Sequence, residues 1–375
     1  MKALYLRGRH LLPRPLRHAV DGAAAALGEN RIRYLDLAVA AARHRSRPDR
    51  LFVGWLLRGN EDTGSSRTTA LAIHAHLRRC GVLSTVLRKP RRPAGRLLLA
   101  PQDAGPIVAA GFDVVIFQKV WGEDAEALAR RLAARGTRTV FLMSDPVVTG
   151  MPAVVDCVVL TTDALLRLPG VDPARAVVIE PAVEAPPGLV KEYDRPPPRD
   201  EVWVVWVGYP QNLPLLDVVR QALADPRLRR YRLVTITRGP QATWQWDRQR
   251  VWTRLLACDI AVLPSHPDDY YQAKPNARMT MLKALGLPIV ASPIPSYRAT
   301  LTHGVGCYFA EGPQEWADAL AALGDAARRR AMGLAERDRV LERYGIAAVG
   351  GRWLRLLSDL AAGHRALPRA ARVAT

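Results

Sequence analysis

The stretch CDIAVLPSHPDDYYQAKPNARMTMLKALGLPIVAS, from Cys258 to Ser292, decides how the rest of this chain is read. Its run Ile260 to Leu263 is short and apolar and stops at Pro264-Ser265-His266, as a fully buried strand does. A polar loop follows through Asp268, Asp269, Tyr270 and Tyr271. A helix is expected to open near Asn276 and to run from Ala277 to Leu285, where Gly286 stops it. Pro288 to Ser292 then reads as a second buried strand, so the unit is strand, helix, strand with a parallel crossover.

The same alternation extends outward. Upstream stand strand Val202 to Gly208, helix Leu213 to Ala224, strand Leu233 to Thr237 and helix Arg248 to Ala257. Earlier still come strands at Arg50 to Leu57, Asp113 to Phe117, Thr139 to Leu142, Asp156 to Leu160 and Ala176 to Ile179. Helices are expected through Ala70, Ile73 and Leu77 to a stop at Gly81, and from Glu123 to Arg135. Between the two sets, Pro181, Pro186, Pro187 and Pro196-Pro197-Pro198 cluster with charged residues, where little can pair regularly. The expected organisation is a basic extension over 1–49, a first α/β domain over 50–182, a proline-rich linker over 183–200 and a second α/β domain over 201–345. A C-terminal helix over 346–362 and a disordered tail over 363–375 complete it. Two such halves on a hinge predict a ligand cleft at the strands' carboxyl ends.

A chain of 375 residues, 49% hydrophobic and 24% charged, is globular and too long for one ordinary core. Its formal charge of +19 comes almost wholly from 48 arginines against 6 lysines. Such a surface attracts phosphate-bearing partners: nucleotide sugars, anionic lipid headgroups or nucleic acid. The first fifty residues hold 11 Lys and Arg against 4 Asp and Glu, with Leu11, Leu12 and Leu16 interleaved. They read either as a peripheral contact with an anionic membrane or as a solvated extension. The chain shows neither a membrane-length apolar run nor a secretory signal, so a cytoplasmic protein is expected, with a peripheral position at the inner membrane face as the alternative. Cys80, Cys157, Cys258 and Cys307 form no CxxC pair and are expected to be buried reduced thiols. No metal or other cofactor is expected, because no DxD motif ends an isolated strand. Trp244, Trp246 and Trp252 alternate with Arg248, Arg250 and Arg254. The spacing favours a packed helix with a basic outer face over a single-strand nucleic-acid platform.

The candidate chemistry sits where strands hand over to helices. Lys274 and Arg278, four apart, share one face of the opening helix or its lead-in. Cations there oppose the helix dipole unless an anion such as a phosphate joins them. Pairing with Asp268 and Asp269 is the alternative. His266 lies at a strand's carboxyl end and is the better site candidate among the histidines, whereas His74 and His76 read as surface or packing residues of a helix. In the first half, Gly64-Ser65-Ser66-Arg67 precedes a helix, with the serines as caps and Arg67 able to reach a phosphate or polar acceptor. Lys119 and Asp145 each follow a strand and should face the cleft. Asp145 is read either as an acceptor-binding carboxylate or base, or as a turn cap before Pro146.

These motifs resemble a known family. Cys258 to Ser265 and Leu282 to Ala291 look like the donor-domain signature of family-four GT-B glycosyltransferases. Val207-Gly208-Tyr209-Pro210-Gln211-Asn212 is similar to their glycine loop, and Gly64 to Arg67, Phe141 to Asp145 and Val158 to Thr162 fit the acceptor-side pattern. The resemblance runs over residues 50 to 360. It implies an α/β GT-B fold, two Rossmann-like parallel-sheet domains facing across a cleft, with a nucleotide-diphosphate sugar on the second and a glycan, lipid-linked or small-molecule acceptor on the first. Gly208, Asn212, Ser265, His266, Lys274, Asn276 and Arg278 would bind donor, and Gly64, Ser65, Ser66, Arg67 and Lys119 acceptor. Asp145, Lys274 and Arg278 would carry catalysis, without a metal and with retention.

The chain also departs from the pattern. The family's paired glutamates fall on Pro275 and Lys283, and Tyr209 to Asn212 holds none of the usual basic residues. The histidine many members place near Lys119 is missing. Lys274 and Arg278 are read as the replacement charges. A catalytically degenerate binding or scaffold protein of a glycan pathway is the rival reading. Specific nucleic-acid binding ranks well below it, since no recognition motif accompanies the charge.

Overall fold

The computed structural model describes residues 34–90, 101–194 and 199–363. The basic segment around Leu11, Leu12 and Leu16, the triple proline 196–198 and the tail from 364 lie outside the described residues. The rest divides into two compact units: 34–161 with 166–179 and 350–363, and 162–165 with 180–349. Each unit is built on a six-stranded sheet, and every strand pair in both sheets is parallel.

The first sheet comprises β1 (Phe52–Leu57), β2 (Leu83–Arg88), β3 (Val114–Gln118), β4 (Arg138–Met143), β5 (Cys157–Leu160) and β6 (Ala176–Val178), in the order β2-β1-β3-β4-β5-β6. Every residue of β1, β3 and β5 is buried, as expected of strands covered on both faces. Gly54 lets β1 pass close to its cover, since a Cβ there would lie 2.8 Å from Leu87 Cδ1. β2 was not expected from sequence. Its Ser84 and Thr85 break the apolar run, but Trp55 Nε1 donates to Ser84 Oγ at 2.9 Å and gives the hydroxyl an internal partner.

The second sheet comprises β7 (Val202–Val207), β8 (Tyr231–Thr237), β9 (Trp244–Gln245), β10 (Ile260–Leu263), β11 (Ile289–Ala291) and β12 (Tyr308–Phe309), in the order β12-β11-β10-β7-β8-β9. Helix Ala277–Ala284 is the crossover between β10 and β11. Two expected helices are shorter than their periodicity suggested. Pro210–Leu216 is a 3₁₀ segment, with Pro214 inside it lacking an amide donor, and only Asp217–Ala222 is α-helical. Asp247 accepts from the amides of Gln249 and Arg250, which delays the next helix to Val251–Leu256. Trp244 therefore sits on the edge strand, where its ring lies 5.5 Å from that of Trp203.

Both sheets start their strands in the same way. Asp113 accepts from the Phe52 amide at 2.7 Å, Asp156 from the Thr139 amide at 2.8 Å and Asp259 from the Trp203 amide at 2.8 Å. Each carboxylate stands just before one strand and satisfies an N–H at the start of its neighbour. A carboxylate taking such bonds is worth more than a neutral partner.

The segment expected to pair and pack little, 183–200, is bonded to the second unit. The Val183 amide donates to Tyr344 O at 2.8 Å, and Tyr193 Oη donates to Gly286 O at 2.7 Å. Lys191 is 7% exposed and donates to Cys258 O at 2.7 Å and Leu256 O at 3.1 Å. Arg199 binds Asp259 at 2.6 Å. Polar side chains with long apolar stems supply here the packing that the prolines cannot.

Lys283 is a second buried lysine, fully covered, with Nζ donating to Met332 O at 2.6 Å. It satisfies a carbonyl near the end of helix Ala326–Leu334. Among the cysteines, Cys157, Cys258 and Cys307 are buried as expected, but Cys80 is exposed. It follows the end of helix Ala72–Arg79, and its sulfur lies 3.4 Å from His76 Nε2.

Burial pushes the Lys283 ammonium down to about 8 from its ordinary 10.5, against the pull of Cys307 and Glu336. Between these values the unfolded chain holds a proton that the native chain has released, so this group makes stability rise with pH. Its burial penalty is present in full below pH 8 and gone above 10.5. Urea denaturation of wild type and Lys283→Met at several pH values should show the wild type gaining on the variant across that window. The gain should reach about 1.4 kcal/mol per pH unit at most, and a constant gap would contradict it. Burial raises the thiols of Cys157, Cys258 and Cys307 to about 12. An aromatic disulfide reagent at neutral pH should therefore titrate one thiol rapidly in the native protein and the other three only on denaturation.

Candidate active site

In the second unit, the polar residues after each strand collect at the carboxyl edge of the sheet. β7 ends at Gly208, where a Cβ would lie 2.4 Å from the Trp206 ring, so no larger residue fits without displacing the indole. The turn beyond carries Asn212, whose Oδ1 accepts from Tyr271 Oη at 3.1 Å. This bond ties the glycine loop to the loop after β10. Ser292 Oγ accepts from the Ser265 amide at 2.9 Å and joins the ends of β10 and β11.

The loop between β10 and the crossover helix is organised by two tyrosines. Tyr270 and Tyr271 meet edge to face at 5.3 Å. The Lys274 ammonium lies 3.7 Å from the Tyr270 ring centroid, and the His266 ring 6.2 Å from that of Tyr271. Asn212, His266 and Lys274 thus gather around one aromatic pair. Asp268 lies 3.2 Å from His266 Nδ1 and caps the short helix Asp269–Gln272 by accepting from the Tyr271 amide at 2.9 Å.

Helix Ala277–Ala284 begins without a side-chain cap. Asn276 stands at its N-cap, but its Nδ2 donates instead to Thr300 Oγ1 at 2.9 Å. Its Oδ1 has no hydrogen-bond partner among the described residues, although Asn276 is only 3% exposed. Arg278 Nη1 is likewise buried without a partner among the described residues. A helix start with uncapped amides and an unsatisfied guanidinium nitrogen is suited to an anion. Lys283, where the family pattern puts its second glutamate, turns to the Met332 and Gly333 carbonyls.

In the first unit, Lys119 and Asp145 are brought together. Lys119 follows β3 with φ +55°, a conformation costly for a side-chain-bearing residue, and its amide donates to Leu142 O at 3.0 Å. Its ammonium pairs with the Asp145 carboxylate, both side chains being about four-fifths covered. Asp145 therefore carries a resident cation.

The serines expected as caps are not caps. Gly64–Ser66 is already the first helical turn, Thr63 holds the N-cap position, and a π-helical turn Arg67–Leu71 follows. The carbonyls of Gly64 and Ser65 accept from the Thr68 and Thr69 hydroxyls at 3.0 and 2.6 Å. Ser66 is buried and donates to Gln118 Oε1 at 3.2 Å. Arg67 reaches back to Glu61 O at 2.9 Å. The sequence reading missed Tyr270, Tyr271, Ser292, Thr300 and Gln118. The tyrosine pair in the loop was visible, but the bonds that give these residues a role are long-range.

Residues 216–355 match the family described as glycosyl transferase-like. No curated protein matches the chain by sequence. Among solved structures, HepE from Anabaena in complex with UDP-glucose superposes with a TM-score of 0.60 at 13% identity, covering 82% of this chain and 99% of that one. A glycosyltransferase from Rickettsia africae gives 0.56 at 11% identity, covering 83% and 99%. The α,α-trehalose 6-phosphate synthase of Burkholderia multivorans gives 0.52 at 13% identity, covering 87% and 99%. With two all-parallel sheets the chain shares the GT-B fold of these structures, and residues 216–355 match the glycosyl transferase-like family.

Proposed function

We propose that this protein transfers a sugar from a nucleotide-diphosphate sugar, held by the second unit, to a glycan, lipid-linked or small-molecule acceptor held by the first. The observation that carries this reading is the buried, unsatisfied Arg278 Nη1 beside the uncapped start of helix Ala277–Ala284. A diphosphate supplies what both lack. The HepE structures hold UDP or UDP-glucose, which supports a donor of that class.

In this reading Lys274, Arg278, the helix amides and the Gly208 loop stabilise the departing diphosphate. Preorganised charge of that kind is a large catalytic contribution. It takes the place of a metal, and retention at the anomeric carbon follows the family resemblance. Gly208, Asn212, Ser265, His266 and Asn276 complete the donor side. Gly64, Ser65, Ser66, Arg67 and the Lys119–Asp145 pair form the acceptor side, with Asp145 or a substrate group taking the acceptor proton. The described residues include no helix long and apolar enough to cross a membrane. A cytoplasmic enzyme with its basic N-terminal segment on an anionic membrane is consistent with the charge.

A second reading, a GT-B protein that binds but does not transfer, is favoured by Lys283. Its ammonium is spent on backbone carbonyls where the family pattern has a donor-gripping carboxylate. Release of UDP from UDP-glucose in the presence of acceptor separates the two, since a binding protein holds UDP saturably and turns nothing over. Arg278→Ala should weaken UDP binding by about 10- to 100-fold, the loss of one charged hydrogen bond. Uridine binding should change by less than about threefold. Equal losses for both ligands in a calorimetric titration would show that Arg278 only supports the fold.

A further inference from the structure

Three polar side chains in the first unit, none of them given a ligand role above, each carry a buried polar atom without a partner among the described residues. Gln118 ends β3, Ser144 follows β4 and Thr161 follows β5. The β3–β4 register places Gln118 opposite Leu142, and the β4–β5 register places Met143 opposite Leu160. Side chains alternate along a strand, so Leu142 and Ser144 share the face of Gln118, and the next register step puts Thr161 beside Ser144. The three residues therefore occupy one face of the sheet, on adjacent strands, at its carboxyl edge.

Their exposures are 0% for Gln118, 3% for Ser144 and 1% for Thr161. Ser66 Oγ holds the Gln118 carbonyl oxygen and so fixes the amide. Gln118 Nε2, Ser144 Oγ and Thr161 Oγ1 have no hydrogen-bond partner among the described residues. Leaving such a group buried and unsatisfied costs the desolvation of a polar atom with nothing gained in return. Other buried hydroxyls of the unit are satisfied, Thr137 donating to Phe112 O at 2.8 Å and Thr139 to Asp156 at 2.8 Å, whereas Thr63 Oγ1, beyond β1, has no partner among the described residues. These three unsatisfied groups lie side by side on adjacent strands, at the edge where parallel α/β sheets bind ligands.

The chemistry of the set defines its complement. The amide nitrogen offers donors, and the two hydroxyls both donate and accept. None of the three is charged, and the adjacent Lys119 and Asp145 offset each other. A group bearing several hydroxyls, each able to donate and accept, answers all three, whereas an ionised phosphate offers acceptors alone and brings uncompensated charge. We propose that Gln118, Ser144 and Thr161 form a binding site for an uncharged sugar ring or polyol. Resting on the transfer reading above, this makes the reacting end of the acceptor a sugar or polyol hydroxyl and makes these residues determinants of that specificity.

Thr161→Val and Ser144→Ala in the full chain test it. Titrations use glucose, maltose and myo-inositol as uncharged probes and inorganic phosphate as the charged one, with UDP binding followed separately. Wild type should bind at least one uncharged probe and gain nothing from phosphate at this site. Each variant should lose about tenfold or more in that binding while keeping its UDP affinity. Thr161→Val should unfold at the same or a higher temperature, because it removes an unsatisfied group at constant shape. A lower unfolding temperature, the mark of a hydroxyl already satisfied by buried water, overturns the proposal. So does a wild type that binds none of the three probes, or variants that bind them unchanged. Loss of UDP binding by wild type with sugar binding intact would instead sink the donor reading and leave this site standing.

Discussion

In a parallel sheet every strand begins at one edge and ends at the other, and each unit of this protein is built under that constraint. The two edges have been given opposite chemistry. At the amino edge Asp113, Asp156 and Asp259 take up the first strand amides, which would otherwise be buried donors without partners. At the carboxyl edge the chain turns into loops that carry Lys119, Ser144, Thr161, Gly208, Ser265 and Ser292. Structural carboxylates and candidate ligand groups are thereby kept at opposite ends of the same ladder. Asp145 and Asp268 are carboxylates on the loop side of this division; the first is paired with Lys119 and the second caps the short helix Asp269–Gln272.

Buried lysines show the same economy. Lys191 and Lys283 are both almost fully covered, and both give their ammonium protons to backbone carbonyls. Burying a charge is costly unless it is hydrogen-bonded, and these carbonyls supply the bonds. Lys191 fastens the segment entering the second unit to the residues before β10, and Lys283 holds the C-terminal end of helix Ala326–Leu334. Replacing a glutamate of the family pattern by Lys283 is therefore a change of role as well as of charge. In this chain the Lys283 side chain serves packing, with its ammonium on the Met332 and Gly333 carbonyls. The cations proposed to face the donor, Lys274 and Arg278, lie on the other side of Pro275 and at the start of the helix.

Legibility from sequence followed the range of the interactions involved. β10 was read at its true bounds, and the crossover helix to within one residue, because a short buried strand and an opening helix are local patterns. β2 was missed because Ser84 is made compatible with burial by partners outside its own strand, the Trp55 indole 29 residues away and His74 Nδ1 ten residues away. The segment 183–200 looked like a linker because prolines forbid regular pairing. Its attachment comes from Lys191, Tyr193 and Arg199, whose partners lie 58 to 93 residues further on. Cys80 was misplaced because the end of a helix can face either way.

The amino-acid sequence by itself determined two parallel α/β halves, the polar loops that follow their strands and the donor-domain pattern, since periodicity and strand–helix boundaries are short-range properties. It marked Lys274 and Arg278 as neighbours on one helix start. Only the tertiary structure decided which of the marked groups were already occupied. Lys119 found Asp145, Arg67 found Glu61 O, and Lys283 found Met332 O, whereas Arg278 Nη1 and Asn276 Oδ1 were left without partners among the described residues. Hydrogen-bond satisfaction is settled by groups that meet through folding, so no local pattern could have separated the spent polar side chains from those still able to hold a ligand.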